Sequence, residues 1–175
     1  MARFETFAAY FGRLITLEAL LWIVFLLLIS FLLRKALSPV LRVSTVYYLL
    51  ISLSFAGVVG LSLRFWDAYG TLSTFWLVAP DLWSAGLKIN ANLVLNVCLY
   101  IPLATLLVLA RKRSWKVLLV LGALSFLIET TQQYLRIGAG DPFDLFANIM
   151  GTLVGVTIGT ILVRLFPTLA AALRQ

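Results

Sequence analysis

Residues 116–165, KVLLVLGALSFLIETTQQYLRIGAGDPFDLFANIMGTLVGVTIGTILVRL, hold two long apolar runs joined by a short polar turn. A helix crosses a hydrocarbon core with roughly 20 residues, at about 1.5 Å of rise for each, and both runs meet that length. The turn at 136–143 carries glycines, Asp141 and Pro142. A short connection of that kind returns the chain as an antiparallel helical hairpin.

The same pattern extends outward from the hairpin. Five segments, 14–33, 45–63, 90–110, 116–135 and 144–165, read as membrane spans. The whole 175-residue chain is 62% hydrophobic and 12% charged, with a mean hydropathy of +1.04. A chain this apolar takes lipid as its solvent, since a soluble domain carries about a quarter charged residues. The expected fold is all-α, a polytopic transmembrane helical bundle of about five spans forming one domain over 1–175. Arg34, Lys35, Ser38 and Pro39 are expected to end the first span, and Arg111, Lys112 and Arg113 separate the third from the fourth. The stretch 64–88, with Trp66, Tyr69, Trp76 and Trp83 and interruptions at Gly70, Pro80 and Gly86, reads as an interfacial or re-entrant segment.

Inventory excludes several chemistries. One cysteine, Cys98, and no histidine leave nothing for a disulfide or a His/Cys metal site. No metal and no cofactor are expected. The net charge of +7 arises from cations that flank spans, which points to anionic lipid and not to nucleic acid.

Charge also sets an orientation. Arg34, Lys35 and Arg42 in the first loop, and Arg111, Lys112, Arg113 and Lys116 in the third, have no acidic residue among them, so these loops are expected to be cytoplasmic. The N-terminus then lies outside and Arg164 and Arg174 inside, in the bacterial plasma membrane. All seven acidic residues fall in the outer half or outer loops. The first span is too long for a cleaved signal and follows Glu5, so it is expected to stay in the mature fold.

Polar residues inside lipid-spanning helices are costly and need a partner or a function. Glu129, Gln132 and Gln133 share one face of the fourth span, and Arg136 continues it a turn later. Asn92 and Asn96 in the third span, and Asp144 and Asn148 in the fifth, are each four residues apart near the same membrane depth. Structural roles compete at most of these positions. Asp141 before Pro142 suits a helix N-cap, with Asp144 favoured by the helix dipole. Asn92 suits a cap and Asn96 an interhelical hydrogen bond. Gly151, Gly155 and Gly159 form a stripe for close helix packing. Glu18 suits an ion pair with Arg13 or Arg64. Glu129 has no capping task, and its expected neighbour across the hairpin is Asn148 in preference to Asp144. Arg136 or Arg64 is the candidate counter-cation, or the receiver of a phosphate or carboxylate.

The stretch IETTQQYLRIGAGDPFDLFANIMGTLVG at 128–155 resembles the signature of the VanZ-like family, with Glu129, Gln132, Asp141, Asp144, Asn148 and Gly151 falling on it. Upstream, Asn96 and Pro102 in NVCLYIPLA resemble the family's Asn followed by Pro-Leu-Gly, with Ala104 in place of the glycine. Arg136 stands two residues before the family's arginine position, which is Gly138 here. The signature region covers about 90–165, and the first two spans are similar only in hydropathy. The resemblance implies a role in the bacterial cell envelope, the family's founding member being associated with reduced susceptibility to the glycopeptide teicoplanin.

The leading expectation is a non-enzymatic protein that binds or modulates an outer-leaflet amphiphile: a membrane lipid head group, a lipid-linked cell-wall precursor or a glycopeptide antibiotic. Its ligand-binding residues would be Glu129, Gln132, Arg136, Asp141, Asp144, Asn148, Asn96 and Arg64. The alternative is a membrane-embedded enzyme acting on a lipid-linked sugar or phosphate, with Glu129 and Asp144 as catalytic acid and base. A flippase component is a further reading, and it would require a homo-oligomer.

Overall fold

The computed structural model describes residues 17–41, 43–63, 91–110, 113–135 and 141–172. These residues form helices α1 (Leu17–Leu41), α2 (Thr45–Ser62), α3 (Ala91–Leu109), α4 (Ser114–Leu135), α5 (Pro142–Leu165) and the short α6 (Pro167–Ala172), with no strand among them. By length and composition α2, α4 and α5 can each cross a membrane, and α3 contributes a shorter apolar stretch at Leu93–Leu109. The surface is apolar, as lipid requires: Leu17, Leu32, Leu119 and Leu127 are all well exposed. Such side chains on the outside, with hydroxyls and a carboxyl inside, suit a membrane protein.

The interior is assembled from α3 and α5, which make the most extensive helix contact, with α4 and α2 closing the sides. Gly151, Gly155 and Gly159 allow this. A Cβ at Gly155 would lie 2.5 Å from the Ile101 carbonyl oxygen and 2.7 Å from the Ala104 methyl, and one at Gly151 would overlap the Val97 backbone. The expected packing stripe is therefore the α3–α5 seam. Ala104 faces it fully buried. Thr105 adds a hydrogen bond, its hydroxyl donating to the Gly155 carbonyl at 3.0 Å.

Hydroxyl groups tie α1 and α2 into the bundle. Ser30 Oγ donates to Ser52 Oγ, and Tyr48 donates to the Ser30 carbonyl at 2.8 Å. Tyr47 donates to the Leu106 carbonyl of α3 at 2.7 Å. None of these was singled out by the sequence, where hydroxyl residues scattered through apolar runs carry no periodic signal.

One boundary differs from the sequence reading. α1 continues through Arg34, Lys35, Ser38 and Pro39 to Leu41. Charge ends a membrane crossing, but Arg and Lys are good helix formers, and a proline so near a helix end removes little. The Arg34 guanidinium lies 5.6 Å from the Phe31 ring centroid, a position suited to a lipid–water boundary. The aromatic segment 64–88, Arg13, Arg64 and Arg136 lie outside the described residues.

Candidate functional site

Asp141 starts the site. Its carboxylate accepts the Phe143 N–H at 2.8 Å, Pro142 occupies the first helical turn, and Asp144 follows in that turn. The expected N-cap is thus formed. Capping leaves the backbone N–H of Asp141 itself to be satisfied, and it donates to Glu129 Oε2 of α4 at 3.1 Å. Glu129 is only 3% exposed. Asp141, as the N-cap, and Asp144, in the first turn, stand at the end of α5 that the Asp141 N–H ties to Glu129. Three acidic residues are therefore gathered where α4 passes the start of α5.

One turn deeper lies a second polar layer. Asn148 donates its side-chain amide to Ser125 Oγ at 2.9 Å, and Thr152 donates to the Asn148 carbonyl at 2.8 Å. Asn148 therefore does not bond to Glu129 as the sequence suggested. Asp141, the N-cap just outside α5, is the residue that meets Glu129, and Asn148, within α5, meets Ser125, one turn earlier on α4. Tyr100 of α3 completes this layer, fully buried and near both Ser125 and Glu129. The Tyr100 hydroxyl and Asn148 Oδ1 are sealed from solvent; among the described residues Asn148 Oδ1 has no hydrogen-bond partner, and the Tyr100 hydroxyl is near the Ser125 hydroxyl without a well-formed bond to it.

Other expected residues separate from this cluster. Gln132 donates to the Ser62 carbonyl at 2.7 Å. This satisfies one of the free carbonyls at the end of α2, a structural task. Asn96 is half-buried and makes no hydrogen bond to another described residue, in contrast to the interhelical bond expected of it. Tyr100, Ser125 and Thr152 were missed. A tyrosine inside NVCLYIPLA reads as apolar filling until the glycine seam draws α3 against α5. Among the described residues no group of three or more His, Cys, Asp or Glu is placed to hold a metal ion.

The family model described as VanZ/LLP1 matches residues 14–164. The chain belongs to the VanZ/LLP1 family. The match takes in all of α1 to α4 and nearly all of α5, so family likeness reaches well beyond the signature read from the sequence. No curated protein and no solved structure matches this VanZ/LLP1 chain. Of the signature positions of this VanZ/LLP1 chain, Glu129, Asp141, Asp144 and Asn148 lie at one end of the α4–α5 hairpin, while Gln132 bonds to the Ser62 carbonyl and Gly151 packs against Val97 in the α3–α5 seam.

Proposed function

We propose that this membrane protein of the VanZ/LLP1 family binds the polar head group of an amphiphile at the end of the α4–α5 hairpin, without catalysing a reaction on it. The observation that carries this reading is the buried carboxyl group of Glu129 with, in the next polar layer, two sealed polar atoms, Tyr100 OH and Asn148 Oδ1, that have no well-formed hydrogen bond among the described residues. Buried polar groups are normally satisfied, above all in lipid, and exceptions concentrate where a ligand or water completes them. A cluster serving only to join helices has no reason to leave such capacity unused.

The seven acidic residues and the cation-rich loops support an outward-facing site in the bacterial plasma membrane. Candidate amphiphiles are a membrane lipid, a lipid-linked cell-wall precursor or a glycopeptide antibiotic of the teicoplanin kind. Arg136 and Arg64 are proposed to contribute at the rim, where a phosphate would meet them. The test is native mass spectrometry of the full chain extracted in a mild detergent. A retained amphiphile in a defined ratio to protein is expected, and a chain that releases all lipid like an unrelated helical bundle would count against the reading.

A further inference from the structure

Contacts between the helices fix the direction of each one. Tyr47 of α2 meets Leu106 of α3, Gln132 of α4 meets Ser62 of α2, and Ala19 of α1 lies against Gly60 of α2. Together with the α4–α5 hairpin, these contacts put Arg34, Lys35, Arg113, Lys116 and Arg164 at one end of the bundle and Glu18, Glu129, Asp141 and Asp144 at the other. The first set holds every described lysine and arginine, and the second every described acid. Among the described residues the cation-bearing end therefore has no carboxylate to neutralise it.

Helix α4 joins that charge to an apolar outer surface. Arg113 and Lys116 are exposed, and Lys116 Nζ stands 5.5 Å from the centroid of the exposed Trp115 ring. An indole beside a long cationic side chain is a pairing suited to the membrane boundary. Leu119, Ala123 and Leu127 follow on the same helical face as Lys116, and all three are exposed. At 1.5 Å per residue the stripe from Lys116 to Leu127 is about 16 Å long, half of a hydrocarbon core of about 30 Å. That is the depth of one leaflet.

We infer that α4 docks an anionic phospholipid of the leaflet at this end, with Arg113 and Lys116 holding the head group and an acyl chain lying along Leu119, Ala123 and Leu127. A zwitterionic head group would bring its own cation to two others, whereas an anionic one brings only the complementary charge. The surface lies at the opposite end of the bundle from Glu129, so the inference is independent of the head-group reading above.

The probes are short-chain phosphatidylglycerol and phosphatidylcholine, added to the detergent-solubilised full chain while thermal unfolding is followed, each protein compared with its own lipid-free Tm. Phosphatidylglycerol is expected to reach half of its Tm shift at a lower concentration than phosphatidylcholine. Arg113→Gln and Lys116→Gln should each raise the phosphatidylglycerol needed by about fivefold, the scale of one basic residue at an anionic surface. Lys35→Gln, at the same end but on α1, should leave it unchanged. An equal loss with Lys35→Gln would mean diffuse attraction and overturn the α4 site. A preference for phosphatidylglycerol that survives the Arg113→Gln, Lys116→Gln double substitution would overturn it as well. So would equal shifts from the two lipids, or the same shift from soluble glycerol phosphate, which has no chain to lie on the stripe.

Discussion

The side-chain amide of Asn148 donates to the hydroxyl of Ser125 across the α4–α5 interface at 2.9 Å, with both residues buried. This bond lies one turn beneath the Glu129–Asp141 contact and makes the hairpin a ladder of two polar rungs. The lower rung sets the register that presents Glu129 to the start of α5.

The rung has a measurable energy. Ser125→Ala and Asn148→Ala should each lower stability, and the double variant should lose less than the two losses added, by about 1 kcal/mol, the scale of interhelical hydrogen bonds in membranes. Thermal or denaturant unfolding of the four proteins in one detergent gives the coupling. Strict additivity would mean that the two side chains do not share a bond.

The glycine seam makes a sharper contrast. Gly155→Leu should greatly reduce folded yield, and Gly155→Ala should cost about 1–3 kcal/mol, because even a methyl group overlaps Ile101 and Ala104. A Cβ at Gly57 or Gly122 meets nothing within 4 Å, so alanine there should be neutral or slightly stabilising. Equal tolerance at all three sites, read by size-exclusion yield and Tm, would place the seam elsewhere.

How much of this was legible follows from the kind of signal each residue leaves. Spans announce themselves by length and hydropathy, and α2 to α5 begin and end within two residues of the reading. The Asp141-Pro142 cap and the stripe of Gly151, Gly155 and Gly159 are local patterns whose physics needs no knowledge of neighbours. The partner of Asn148 depends on the register between helices, which the sequence of the turn does not encode. Tyr100 and Ser125 depend on which face of an apolar helix turns inward, and hydropathy is nearly uniform around α3 and α4. The end of α1 was misplaced because lipid solubility stops at Arg34 while helix propensity does not.

Orientation is open to labelling. In a background lacking Cys98, which is exposed on α3, cysteines at Ser38 and Ser114 should resist an impermeant reagent applied from outside, and one at Ala68 should react. The reverse pattern would invert the topology and turn the acidic end of the hairpin to the cytoplasm.

Gln132 should behave as a structural residue. Gln132→Ala removes the bond to the Ser62 carbonyl and is expected to lower Tm by a few degrees, corresponding to roughly 1 kcal/mol, without changing the amount of amphiphile retained. A loss of amphiphile at unchanged Tm would move Gln132 into the site.

The most direct test of the account sets Glu129→Gln beside Asn148→Ala, with Tm and retained amphiphile measured on the same samples. A glutamine keeps the acceptor for the Asp141 N–H and removes a costly buried acid, so Tm should hold or rise if the group is purely architectural. The account predicts a folded Glu129→Gln protein, with Tm near wild type, that retains roughly a tenth or less of the amphiphile, and an Asn148→Ala protein that is both less stable and depleted. Full retention by both variants, each well folded, would contradict the site.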